Sequence, residues 1–155
     1  VLQPHESKAV RVQWLGAEKP ESEMPYRILA EQIPIDLHDT PPAGSALRFM
    51  LRFMAALYIA PPGVKSDILV EKIENQAGAL RLFLRNRGNG HTLIRKPVLH
   101  LRLEDGRTLE LKEENLEPLA GENVHANASR YFDIQLPANI PAPVVSASLD
   151  FESGF

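Results

Sequence analysis

Turn-forming residues interrupt this sequence at short intervals, and long helices therefore have little room. Thirteen prolines are spread along the 155 residues, and a proline inside a helix removes a hydrogen-bond donor and clashes with the preceding turn. Between the interruptions, apolar and polar residues alternate with a period of two. Many short alternating segments with turn residues between them predict an all-β sandwich. The predicted strands are residues 10–14, 26–33, 67–74, 80–84, 99–103, 109–111, 131–136 and 144–151.

One hairpin is defined by local sequence alone. Leucines alternate with polar residues over residues 99–104, and Leu109 and Leu111 continue the alternation after a break. The break holds Asp105-Gly106, a dipeptide that favours tight hairpin turns. The sequence therefore predicts two antiparallel strands joined at this turn.

The longest apolar run, residues 46–62 (ALRFMLRFMAALYIAPP), has an ambiguous periodicity. A helical stripe would hold Leu47, Met50, Leu51, Met54 and Tyr58. One face of a strand, with Leu47, Phe49, Leu51 and Phe53, fits equally well. The run is shorter than the roughly 20 apolar residues of a membrane span and contains two arginines. We therefore predict no membrane insertion.

Composition excludes several classes of function. The formal charge of −3 argues against a nucleic-acid partner, which normally meets a basic face. Cysteine is absent, and with it disulfides and thiolate metal sites. The chain opens on Val1-Leu2-Gln3-Pro4 without a signal peptide or an initiating Met, which we interpret as a processed or truncated product.

No enzyme signature is present, and we predict a protein without catalytic activity, cofactor or metal. The five histidines are scattered without ligand spacing, and solvated surface positions are the default for them. Residues 88–90 (GNG) lack the third glycine and the helix of a phosphate loop and predict a turn. The carboxylates of residues 110–117 favour a solvated edge and loop, without singling out a catalytic pair.

Three stretches resemble the periplasmic pilus-assembly chaperones, the PapD-like family. Residues 2–12 (LQPHESKAVRV) are similar to its LxPGxxxxVRV segment, with His5 where glycine is usual. Residues 26–34 (YRILAEQIP) resemble its YRLxxxEIP strand, with Gln32 as an extra residue. Residues 57–61 (LYIAP) are similar to the end of the strand that closes its first domain. The order and spacing of these stretches carry the resemblance, which is closest to the archaic branch of the family.

This resemblance implies two immunoglobulin-like β-sandwich domains. Residues 1–63 would be the C-terminal part of an incomplete first domain, with a donor strand at residues 46–60, and residues 64–155 the second domain. The segment 86–91 (NRGNGH) resembles the N-x-G turn of that second domain. The resemblance also resolves the apolar run in favour of a strand.

The function that the resemblance implies is capping of pilus or fimbrial subunits in the periplasm of a Gram-negative bacterium, with delivery to an outer-membrane usher and a part in cell wall organisation. The chaperone lends a strand whose backbone pairs with the subunit and whose alternate side chains fill its groove. The donor residues would be Leu47, Phe49, Leu51 and Phe53. Self-association through the same strand is also expected.

The family also holds the subunit's terminal carboxylate with basic residues, and Arg27 and Arg52 are the candidate anchors here. The usual basic position late in the closing strand is occupied by Ala55-Ala56. Two alternatives stay open: an immunoglobulin-like adhesion or ligand-binding module of the cell surface, and a run whose apolar residues pack only their own domain's core.

Overall fold

The computed structural model describes residues 5–33, 49–138, 140 and 143–154, and this part of the chain is all-β. The predicted fold class is confirmed at that level, whereas the immunoglobulin-like type and the division at residue 63 stay predictions. The described residues contain one 3-10 turn, Glu113–Asn115, and nine strands: β1 Met24–Glu31, β2 Arg52–Ile59, β3 Ile68–Gln76, β4 Ala79–Asn86, β5 Thr92–Leu103, β6 Thr108–Leu111, β7 Asn123–Val124, β8 Ser129–Gln135 and β9 Val144–Gly154.

Two sheets pack around a shared core. One has the order β3-β4-β8. In the other, β5 pairs with β9 along one edge and with β6 and β7 along the other. Both sheets contribute alternate side chains to the core, because successive residues of a strand point to opposite faces. The fully buried members include Leu80, Leu82, Leu84, Leu99, Leu101 and Ile134.

A β-bulge in β5 lets one long strand bury side chains at both of its ends. The pairing with β9 shifts between Arg95 and Val98, and Lys96 between them has φ +46°. Pro97 follows it and has no N–H to offer the ladder. The extra residue changes the alternation, so that Ile94 and Leu99 are both completely buried.

The predicted hairpin at residue 105 is confirmed. β5 and β6 pair with Leu99 opposite Leu111 and Leu101 opposite Leu109. Gly106 has φ +85°, which glycine adopts without steric cost.

Strands β1 and β2 form a separate antiparallel hairpin with two different faces. Directly paired residues share a face. One face carries Arg27, Leu29, Ala56 and Tyr58, among others. The opposite face is apolar throughout its paired residues: Met24, Tyr26, Ile28, Ala30, Phe53, Ala55, Leu57 and Ile59.

The structure corrects one predicted strand and shortens another. Residues 10–14 form no strand: Val10 is 86% exposed, and the segment has no ladder pairing with any described strand. Trp14 instead donates its indole N–H to Ala17 O (2.8 Å) and packs on Tyr26, with ring centroids 5.6 Å apart.

The apolar run forms a strand from Arg52 to Ile59. The predicted donor strand, residues 46–60, is therefore shorter in the structure: residues 49–51 are described but are not part of the strand, and residues 46–48 lie outside the described residues.

Candidate functional site

The side chain of Asn86, at the end of β4, links the loop that follows it to β7 and to the start of β3. Asn86 is fully buried, and its Oδ1 accepts from Asp67 N (3.0 Å) and Gly88 N (2.9 Å). Its Nδ2 donates to Gly90 O (2.8 Å) and Val124 O (3.1 Å). The amide thereby accepts two hydrogen bonds and donates two, which is its full capacity. A buried polar side chain normally has its hydrogen bonds satisfied in this way.

The same loop holds the connection between β2 and β3. Lys65 N donates to Asn89 Oδ1 (2.9 Å), and Gly90 N donates to Lys65 O (3.1 Å). A Cβ at Gly88 would lie 2.1 Å from Lys65 O, so only glycine permits this approach. The predicted turn at residues 88–90 is confirmed and serves as a docking point for the connection.

The hairpin contacts the sandwich through two buried side chains, the carboxylate of Glu23 just before β1 and the imidazole of His91 just before β5. Glu23, 5% exposed, accepts from His91 N (3.3 Å), and its Oε1 lies 2.5 Å from His91 Nδ1. Tyr58 stacks on the His91 ring, with centroids 3.9 Å apart and planes 9° apart. Asn123 Nδ2 donates to the Tyr58 hydroxyl (2.7 Å). These contacts fix β2 relative to the sandwich.

A cleft of about 590 Å³ lies beside this junction, between hairpin and sandwich. Its hairpin wall includes Arg27, Ala56 and Tyr58. Its sandwich wall includes Glu122, Asn123, His125 and Arg130. The cleft therefore combines cationic, aromatic and amide groups with one carboxylate, that of Glu122.

The structure separates the two candidate anchors. Arg27 lines the cleft, where its Nη1 approaches Met54 Sδ (3.2 Å) and no described carboxylate lies within ion-pair distance. Arg52 pairs with Glu31 (3.2 Å) at the other end of the hairpin. The two positions are four residues apart along the strand ladder, about 13 Å. Within the described ranges, Arg27 is therefore the candidate anchor that lies beside the sandwich without a carboxylate partner.

The predicted donor side chains are exposed wherever the structure describes them. Phe49, Leu51 and Phe53 are 75%, 55% and 64% exposed, and Leu47 lies outside the described residues. Phe53 is on the apolar face, away from the face that carries Arg27. Phe49 and Leu51 precede the strand, although Gln32 N still donates to Leu51 O (2.9 Å).

The sequence did not predict the positions of His91 in the buried contact or of His125 and Arg130 in the cleft. The surface default is wrong for His91, which is 8% exposed, while His125 is half-buried. His91 and His125 lie 34 residues apart in sequence, and only the packing of the hairpin on the sandwich brings both against Tyr58. Within the described ranges no group of three or more His, Cys, Asp or Glu side chains is arranged to hold a metal ion.

Comparison with known proteins gives no relative. No protein-family model, no curated protein and no solved structure matches the chain. Among the described residues no helix has the length and apolar character needed to cross a membrane.

Proposed function

We propose that this chain is a periplasmic chaperone that binds a pilus or fimbrial subunit by strand donation and delivers it to an outer-membrane usher. We further propose that residues 64–155 form an immunoglobulin-like sandwich and that the β1–β2 hairpin belongs to a first domain of the same type. The observation that carries this proposal is the character of β2: an apolar strand, paired only with β1 in the described chain, with exposed large side chains at its start.

The physical basis is the open edge of β2. An unpaired strand edge offers a row of N–H and C=O groups to another chain, and an apolar edge invites association. A subunit that lacks its own last strand also has an unpaired sheet edge, and pairing with β2 would provide hydrogen-bond partners for both edges. Burial of Phe49, Leu51 and Phe53 would contribute about 1.5–3 kcal/mol each before the cost of ordering them.

Arg27 is the anchor we assign for the terminal carboxylate of the subunit. An arginine holds a carboxylate through two parallel hydrogen bonds. Arg27 faces an open cleft, whereas Arg52 already has Glu31 as its partner. The cleft also lies on the sandwich side of the hairpin, where a subunit end would be enclosed from two sides.

The test is capture of a pilus subunit that lacks its last strand, coexpressed with the chain and quantified as soluble complex by size-exclusion chromatography. We expect Leu51→Glu to abolish capture while leaving the melting temperature within a few degrees, because Leu51 is 55% exposed and contributes little to its own core. In the same panel, Arg27→Ala should weaken capture and Arg52→Ala should not.

Val145→Glu is the matched control. Val145 is 48% exposed and lies at the end of β9 that pairs with Leu103, whereas the contact with the hairpin lies at His91, beyond the other end of β5. It should retain capture. If Leu51→Glu instead unfolds the protein, the run belongs to its own core; if both glutamate variants capture the subunit normally, strand donation is wrong.

A further inference from the structure

The sandwich wall of the cleft carries a cation of its own beside the hairpin. Arg130 Nη1 donates to Asn123 O (2.6 Å) and lies 2.7 Å from Glu122 Oε2, and its guanidinium lies 5.0 Å from the Phe132 ring. These contacts use a single nitrogen and hold the arginine in place. The Glu122 carboxylate offsets the charge of Arg130, so that Arg27 is the arginine of the cleft lining that has no ion-pair partner among the described residues.

His125 is the imidazole that lines this cleft. It is half-buried between β7 and β8, and its ring centroid lies 6.1 Å from that of Tyr58. Its Nδ1 is buried without a hydrogen-bond partner in the described chain. A buried polar atom without a partner is unusual in a folded protein. The His125 ring also belongs to the lining of the cleft.

The charged groups that act on His125 lie on β1 and just before it, just before β5, and on β8. Burial first, and then the charges of His91, Arg130 and Arg27, lower the pKa of His125, while Glu23 opposes them. The ring is therefore uncharged at neutral pH. When it takes up a proton, both ring nitrogens become donors and the lining of the cleft gains a positive charge.

We propose that His125 and Arg130 form a second, pH-responsive wall of the carboxylate site, so that the cleft binds a chain-terminal carboxylate more tightly as the pH falls. The identity of the ligand, a subunit's C-terminus, rests on the proposed function. The charge and the hydrogen-bonding groups of the wall are independent of that function, since they follow from the residues that line the cleft. A chain terminus fits because its carboxylate accepts hydrogen bonds from Arg27 on one side and from Arg130 and protonated His125 on the other.

The direction of the pH effect follows from linkage. An anion stabilises the charged imidazole, so binding raises the pKa of His125, and by reciprocity protonation strengthens binding. The ligand stays ionised throughout, since a terminal carboxyl titrates near pH 3.5. If binding raises the pKa by about one unit, the affinity gain approaches about tenfold at pH values below both pKa values.

The experiment uses the full chain and two N-acetylated pentapeptides that are identical except for a free carboxylate or a carboxamide at the C-terminus. Affinity is measured by calorimetry in steps from about pH 7.5 down to about pH 4.5, where the peptide carboxylate is still ionised. We expect the carboxylate peptide to bind progressively more tightly as the pH falls, by about threefold to tenfold over this range, and the amide peptide to show no such gain. His125→Gln should remove the gain, whereas His100→Gln, on β5 and outside the cleft lining, should retain it.

An NMR titration of the His125 ring in the wild-type protein provides a readout that needs no variant. Its pKa should rise in the presence of the carboxylate peptide and stay unchanged with the amide peptide. The proposal is overturned if the pKa does not move, or if His125→Gln retains the pH dependence. Subunit capture through Leu51 is a separate readout, so loss of strand donation and loss of the carboxylate site are distinguishable.

Discussion

Asn86 provides the sharpest test of how this fold is held together. Its amide makes four hydrogen bonds, to the backbone of Asp67, Gly88, Gly90 and Val124, and the side chain is completely buried. We predict that Asn86→Ala destabilises the protein far more than loss of an ordinary surface amide, because it leaves four backbone groups in the interior without these partners.

The magnitude follows from the number of bonds lost. A hydrogen bond contributes about 0.5–1.5 kcal/mol net, and an unsatisfied buried group costs about 1–3 kcal/mol. If water replaces some of the partners of Asn86, the total is about 3–5 kcal/mol. A domain is typically stable by about 5–15 kcal/mol, so the loss is a large fraction of the total.

The assay is equilibrium unfolding in urea, with Asn75→Ala as the matched control. Asn75 also bridges two backbone groups, donating to Val144 O (2.8 Å) and accepting from Val144 N (2.9 Å), but it is exposed and water can replace it. We expect a loss of about 1 kcal/mol or less for the control. If the two variants lose the same free energy of unfolding, within about 0.5 kcal/mol, the role assigned to Asn86 is wrong.

Two further predictions concern backbone contact and acid stability. Gly88→Ala should lower the urea midpoint by the equivalent of about 1–3 kcal/mol, because its Cβ would meet Lys65 O at 2.1 Å; an unchanged midpoint would contradict that contact. A hydrogen bond from Arg81 lowers the pKa of Asp133, so this pair stabilises the fold above the ordinary aspartate pKa of about 4 and the contribution is lost as the pH falls through the lowered value. The difference in urea midpoint between wild type and Asp133→Asn should therefore be larger at pH 7 than at pH 2.5, and the reverse order would refute the assignment.

Much of the sandwich was predictable because its signals are local. Alternation over residues 80–84 and 131–136 marks β4 and β8, since a strand with one buried face must repeat every two residues. The same alternation predicts a strand at residues 10–14, and this prediction is wrong, because the segment pairs with no strand in the described chain. A period of two shows that a segment can be a strand; pairing decides whether it is one.

The candidate site was predictable only in part. Arg27 and Arg52 looked equivalent in sequence, and the difference between them arises from register, which places Glu31 opposite Arg52 and leaves Arg27 facing the cleft. The exposure of Phe53 likewise depends on which face of the hairpin meets the sandwich, and periodicity does not carry that information.

The sequence by itself determined the class of the fold, the hairpin at residue 105 and the turn at residues 88–90, because alternation and glycine chemistry act between near neighbours. Only the tertiary structure decided that Glu23, His91 and Tyr58 meet in a buried junction and that His125 and Arg130 face Arg27 across a cleft. These groups come from segments up to 107 residues apart, and no local pattern encodes their proximity. It follows from packing the hairpin on the end of the sandwich, where burial and hydrogen bonding select the arrangement.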